Sequence, residues 1–249
     1  MAFDGLFHQM EKMKPRDNPS CENCQYRGKS LFGTLCADDL AQLKPHKKLR
    51  HYRRRELLFG QGNVPEGLFC VAAGQVKIFQ TGIDGRDQIV RLAGPGDPIG
   101  YRALFADEPY NASAEALEES EVCFIDRASV LSLLEDKPLF MRRLLQWLCQ
   151  DLRQAEERMR QFAQKPVRER MAETLVLLAQ AFGKKVPGGV QLGIRLTRQE
   201  LAELAGTVLE TAVRCISEMK REKLLRGEGR SLILPDPAAL ARAARMDLP

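Results

Sequence analysis

No apolar run among the 249 residues approaches the length needed to cross a bilayer, and the first 20 lack the continuous apolar stretch of a secretory signal. Both absences point to a cytoplasmic protein with no membrane partner. Histidine is scarce. His8, His46 and His51 stand in no metal-ligand spacing, and no nucleophile stands in a pattern with a base, so nothing marks an enzyme. Neither charge sign dominates: 38 Lys and Arg against 33 Asp and Glu leave a formal charge of +5, which permits nucleic-acid binding without requiring it. What the chain does have is ordinary globular content, 44% apolar and 29% charged, at a length that supports two domains with real cores. Its seven cysteines, in a reducing compartment, read as core residues, metal ligands or redox thiols rather than structural disulfides.

The most informative stretch runs from Thr197 to Lys223. Thr197 and Glu200 form a capping box, which starts a helix whose apolar face is Leu201, Leu204 and Ala205. Ala202 permits a close crossing, and Gly206 stands where a sharp turn between two helices needs positive φ. A second helix from about Leu209 buries Ala212, Ile216 and Met219. That leaves Glu210, Val213 and Arg214 facing outward near its N-terminus, the position from which a recognition helix reaches base edges. Arg donates two bonds to guanine, and Glu accepts from the cytosine amino group. Thr197, Arg198, Thr207 and Thr211 border this face as further DNA-binding candidates. The blander alternative makes Glu210 and Arg214 a surface i,i+4 pair on a two-helix connector. Against it, residues 226–234 read as a glycine-turned hairpin, a wing whose Arg226 and Arg230 would sit on phosphates.

Upstream, residues 1–20 read as an irregular polar arm, followed by Cys21-Glu-Asn-Cys24 and then Cys36. A C-x2-C pair is shared by zinc knuckles, iron–sulfur sites and dithiol switches. A short helix is expected over Asp38–Leu43, and the basic run from His46 to Arg55 reads as a solvated face. Glycine-punctuated strands are expected at Leu57–Phe59, Gly67–Ala72, Gln75–Gln80, Gln88–Leu92 and Glu121–Ile125, a small β-barrel or roll with a short helix between Ile99 and Pro109 over its mouth. Such a roll is either a ligand cup or a fully packed barrel. After Pro138, the residues Met141, Leu145, Leu148, Leu152, Ala155, Met159 and Phe162 keep an a/d register, the seam of a symmetric homodimer. Lys165-Pro166 ends that helix, and a further helix over Val167–Phe182 leads through Pro187-Gly-Gly189 into the helix-turn-helix.

This order of parts, with Gly74-Gln-Val-Lys77, Pro95-Gly96-Asp97-Pro-Ile-Gly100, the Pro-Val-Arg-Glu-Arg hinge and Thr-Arg-Gln-Glu-Leu-Ala…Gly…Glu-Thr-x-x-Arg, resembles the CRP/FNR superfamily of bacterial transcription regulators over nearly the whole chain. The resemblance implies an α+β protein: a cysteine-containing arm (1–36), a cyclic-nucleotide-binding-like β-roll sensor (37–137), a dimerisation helix (138–164) and a winged helix-turn-helix domain (165–249). It also implies a palindromic double-stranded DNA site whose TGA-type core is read by Glu210 and Arg214, and RNA polymerase as a protein partner. Val213 stands where the FNR branch carries serine, which leaves the outer base of the half-site open.

The signal is less legible. Nucleotide binders of this family carry a Gly-Glu pair for the ribose and an Arg-Ser or Arg-Thr pair for the phosphate, whereas this chain has Gly100-Tyr101 and Tyr110-Asn111, with Arg102 the one cation near the motif. Cyclic AMP is therefore not expected. In the FNR branch an oxygen-labile [4Fe–4S] cluster sits on three N-terminal cysteines and one in the barrel. By resemblance Cys21, Cys24 and Cys123 match three of these ligands. Ser30 falls at the spacing of the remaining one, and Cys36 comes six residues later. Either Cys21, Cys24, Cys36 and Cys123 hold a cluster through a longer loop, or all four are ordinary cysteines and the regulator answers another small effector. Cys70, Cys149 and Cys215 read as core or neutral positions. A β-roll metabolite-binding protein with purely structural C-terminal helices is the reading from a different class.

Overall fold

The computed structural model describes residues 21–246, so the arm expected over 1–20 lies outside the described residues. Three short 3-10 turns (Cys21–Asn23, Arg27–Lys29, Leu31–Thr34) lead into α1 (Ala37–Leu43), followed by β1 (Lys47–Tyr52), β2 (Leu57–Phe59), β3 (Gly67–Ala73), β4 (Val76–Thr81), β5 (Asp87–Ala93) and β6 (Pro98–Ile99). Helix α2 (Tyr101–Ala106), β7 (Ser113–Ala116), β8 (Ser120–Asp126) and α3 (Arg127–Asp136) complete the N-terminal domain, and α4 (Pro138–Gln164) leaves it. The C-terminal domain comprises α5 (Val167–Phe182), β9 (Gly183–Val186), β10 (Gly189–Leu192), α6 (Arg198–Ala205), α7 (Leu209–Arg221), β11 (Ile233–Leu234) and α8 (Pro237–Ala243).

The strands form two antiparallel four-stranded sheets, ordered β1-β8-β3-β6 and β2-β7-β4-β5. Alternation along β3 and β8 explains how they pack. Phe69, Val71, Val122 and Phe124 point into the roll, while Leu68 and Ile125 point outward into a second core roofed by Leu31, Phe32, Phe140 and Leu144. Gly74 turns β3 into β4 at φ 82°, where a side chain would also meet the Ser120 hydroxyl and the Glu119 carbonyl.

The basic run expected to be a solvated face is instead mostly β1, paired along its length with β8. Lys47 and Tyr52, at the two ends and on opposite faces, are buried while Lys48 and His51 stay in water, so cations stand on both faces of the strand and hid its two buried ends. Strands β6, β7, β9 and β10 were likewise not expected.

Proline at the first position of α4 suits a helix start, and the extended Lys165 before Pro166 ends it after 27 residues. One side of α4 packs on its own domain through Phe140 and Leu144, with Trp147 and Leu148 half-buried beside them. A different row, Met141, Leu145, Leu152, Met159 and Phe162, stays exposed, at 61% for Leu152 and 69% for Met159.

Candidate nucleic-acid interface and sensor sites

The helix-turn-helix follows its sequence closely. The Thr197 hydroxyl accepts from the Glu200 N–H (3.1 Å), and the Glu200 carboxylate accepts from the Thr197 N–H (2.6 Å), which satisfies two free donors at the start of α6. Gly206 ends α6 in the left-handed region (φ 62°, ψ 53°). The Phe162 ring lies against Gly206, so a side chain there would collide with it. Arg170, in the hinge after α4, caps the same turn: its guanidinium donates to the carbonyls of Lys165, Ala205 and Gly206 (2.9–3.0 Å) and lies over Phe162. Burial pulls its pKa below the usual arginine value. The end of α4 thus touches the reading module directly.

Helix α7 buries Ala212, Cys215, Ile216 and Met219 and exposes Glu210, Val213, Arg214, Ser217 and Arg221. Glu210 and Arg214 therefore share one solvent-facing side. Thr207 and Thr211 are half-buried at its edge. Thr197 is spent on the cap. Arg198 is half-buried, with Nη1 buried and unpartnered. The wing forms as a hairpin: Arg226 and Ile233 exchange both backbone bonds (2.9 and 3.0 Å), and β11 continues onto β10 and β9. Arg226 and Arg230 are exposed on it. Sequence reasoning missed Lys185 and Arg195, exposed cations on or beside the wing sheet; their signal was hidden while β9 and β10 went unread. The module is not free of the sensor. Gln88 of β5 donates to the Glu203 carbonyl of α6.

In the sensor, a cavity of about 420 Å³ opens beside α2 and α4. Tyr110 stacks on Phe59 at 3.8 Å, and burial pushes its hydroxyl up to about 12. Three guanidiniums border the cavity, not one: Arg91, Arg102 and Arg158. Arg102 donates to Asp151 (2.9 Å), Arg91 to the Tyr101 hydroxyl (3.1 Å), and Arg158 to the Val90 carbonyl, while Tyr101 itself bonds Asp151. The cations are thereby committed to the protein's own acceptors.

Of the four cysteines expected as a set, Cys21, Cys24 and Cys123 line one large cleft that runs from the N-terminal turns along the roll to the C-terminal domain. Cys36 stands elsewhere. It precedes α1, exposed, and its N–H donates to Asp39 (3.1 Å). Cys70, read from sequence as a core or neutral position, packs beside the outer core and also lines this cleft. Burial pushes the Cys123 thiol up to about 11 and the Cys70 thiol well above its ordinary value; it also raises Cys21, against the opposing pull of Lys47. Among the described residues, no three His, Cys, Asp or Glu side chains converge tightly enough to share a single metal ion.

Two parts of the chain match known families. Residues 49–137 match the family model described as a cyclic nucleotide-binding domain, and residues 169–243 match the Crp-like helix-turn-helix domain. The chain is similar to a CRP-like cAMP-activated global transcriptional regulator of Mycobacterium tuberculosis, 30% identical over 194 residues covering 78% of this chain and 87% of that one. It is also similar to the transcriptional activator protein anr of Pseudomonas aeruginosa, 27% identical over 237 residues covering 94% of this chain and 97% of that one. Among solved structures, FixK2 from Bradyrhizobium japonicum superposes with a TM-score of 0.70 at 25% identity, covering 79% of this chain and 96% of FixK2.

Proposed function

The chain belongs to the CRP/FNR superfamily and is a DNA-binding transcription regulator of that type, and from that premise we propose that it works as a homodimer on a palindromic site, under redox control from a [4Fe–4S] centre on its sensor domain. The observation that carries the reading is the shared outward side of Glu210 and Arg214 on α7. Arg214, one turn further along than Glu210, donates twice to a guanine while Glu210 takes a cytosine amino group. Arg226 and Arg230 hold phosphates from the wing. Two such modules are joined by the exposed apolar row of α4, because a stripe of Met, Leu and Phe left in water is stabilised by a second copy of itself.

The similarity to the transcriptional activator protein FnrA of Stutzerimonas stutzeri over 94% of the chain, together with Cys21, Cys24 and Cys123 along one cleft, supports an iron–sulfur signal. When bound, such a cluster supplies oxygen-labile redox chemistry. The residues' own part is to hold it between the N-terminal turns and the sheet that carries Cys123. A second reading, a cluster-free regulator with a small effector, is favoured by the cavity bordered by Tyr101 and Tyr110. RNA polymerase is the protein partner in either case.

Gel shifts with an inverted repeat, its half-site and a scrambled duplex, using protein reconstituted with iron and sulfide under nitrogen and then exposed to air, test the proposal. Tight binding to the inverted repeat alone, weakened by air, is expected. Binding indifferent to sequence would contradict the reader assignment, and air-insensitive binding would contradict the redox signal.

A further inference from the structure

Resting on the redox-sensor reading above, we propose that the fourth thiolate of the iron–sulfur site is Cys70, not Cys36, so that the ligand set is Cys21, Cys24, Cys70 and Cys123 on the outer face of the roll. Cys70 and Cys123 are direct partners across β3 and β8. Opposed residues on an antiparallel pair project to the same face with Cβ atoms about 4.5–5.5 Å apart. The face is settled by their neighbours. Leu68 and Ile125, two residues away on each strand, point outward into the core beneath the N-terminal turns, and Phe69 and Phe124 point into the roll. Cys21 packs against that same outer core, and the Cys24 N–H donates to the Cys21 carbonyl (3.4 Å), which closes the turn that carries both thiols. All four cysteines line one cleft and all four are half-buried. Buried Lys47, opposite Ile125 on β1, lowers the Cys21 thiol against the upward push of burial and brings positive charge to the set.

Of the two candidates that chain spacing offers, Ser30 is engaged in a cap and Cys36 lies apart from the cleft that holds the other thiols. Ser30 is buried and caps a 3-10 turn, accepting from the Phe32 N–H (3.2 Å) and donating to the Arg27 carbonyl (2.8 Å). Cys36 precedes α1, where Asp39 accepts from its N–H and pairs with Lys137 (2.6 Å).

A single zinc ion needs its sulfurs drawn to about 2.3 Å of one point, and no such convergence exists among the described residues. A cluster presents its irons at separate corners and accepts ligands spread more widely, whatever their order in the chain. On assembly, four S–H bonds would give way to four Fe–S bonds and four protons would pass to solvent, with two ferrous and two ferric ions and four sulfides supplied from outside so that no further oxidant is needed.

The test is anaerobic reconstitution of the full chain with iron and sulfide, scored by bound iron and sulfide and by the visible absorption of the chromophore, for the wild type, Cys36→Ala, Cys70→Ala and Cys123→Ala. Cys36→Ala should load like the wild type, whereas Cys70→Ala should fall to the level of Cys123→Ala. Independently of any variant, alkylation of the loaded wild type followed by mass spectrometry should modify Cys36 and spare Cys70. Full loading of Cys70→Ala, loss of loading in Cys36→Ala, or alkylation of Cys70 in the loaded protein would each overturn the assignment while leaving the redox reading standing. A wild type that takes up no iron or sulfide would overturn both.

Discussion

Arg214 and Arg230 are both exposed arginines of the C-terminal domain, yet their positions give them different work. On the groove-facing side of α7, Arg214→Ala should cost about 1–3 kcal/mol on the cognate site and flatten the preference at one base pair. On the wing, Arg230→Ala should weaken cognate and random duplexes alike and lower the salt slope by about one unit. Binding isotherms at several salt concentrations separate the two. Loss of affinity for every sequence alike in Arg214→Ala would sink the assignment of α7's readers. In the sensor, Tyr110 stacks on Phe59 where a nucleotide binder would carry arginine, and Arg91, Arg102 and Arg158 at the cavity are each bonded to acceptors of the protein itself. Titration calorimetry with cyclic AMP should therefore show no heat at micromolar ligand, and measurable heat there would refute the pocket argument. The residues of the helix-turn-helix were legible because a cap, a turn glycine and a 3.6-residue period are local properties. Cys70 was not, because only strand pairing, over a separation of more than fifty residues, brings it opposite Cys123.

Between α6 and α7, Gly206 answers two demands, a left-handed backbone and a close approach by the Phe162 ring. Gly206→Ala should lose about 1–2 kcal/mol to the backbone alone, plus the collision. Adding Phe162→Ala should recover the second part and not the first, a coupling that a double-mutant cycle in urea reads directly. Full recovery, or none, would mean that only one demand operates. Below the hinge, the nearly buried Lys165 and Glu173 pair at 2.8 Å and join α4 to α5, with Lys165 also donating to the Ala244 carbonyl ahead of the C-terminal end (3.0 Å). Glu173→Gln strands a buried ammonium and should lower unfolding stability by about 3–5 kcal/mol; an unchanged urea midpoint would show the pair to be dispensable. Elements of this size were the hardest to read from sequence. Strands β9 and β10 have four residues each and meet at Pro187-Gly188, so they pass for a loop, and β1 hid behind a run of cations spread over both of its faces. The heptads of α4 were plain, but an a/d register does not separate a partner-facing row from one that packs within the chain. Leu148, counted in the seam, is half-buried beside Leu144 on its own core.

Taken whole, the molecule places its sensor and its reader in direct contact: Gln88 of the roll holds the α6 backbone, and Phe162 at the end of α4 rests on the helix-helix turn. A change in how α4 sits on the roll or on a partner copy has a short physical path to α7. The dimer follows from the row that remains exposed, so Leu145→Glu with Leu152→Glu, which bury like charges across the seam, should give monomers by sedimentation that bind DNA weakly; a double mutant that stays dimeric would place the interface elsewhere. The central claim, that two copies of α7 read an inverted repeat, is tested most directly by selecting bound duplexes from a random pool with the wild-type protein and sequencing them. The account predicts enrichment of one palindrome whose half-sites lie about one helical turn apart. Recovery of no common sequence, or of a single unrepeated motif, would contradict it.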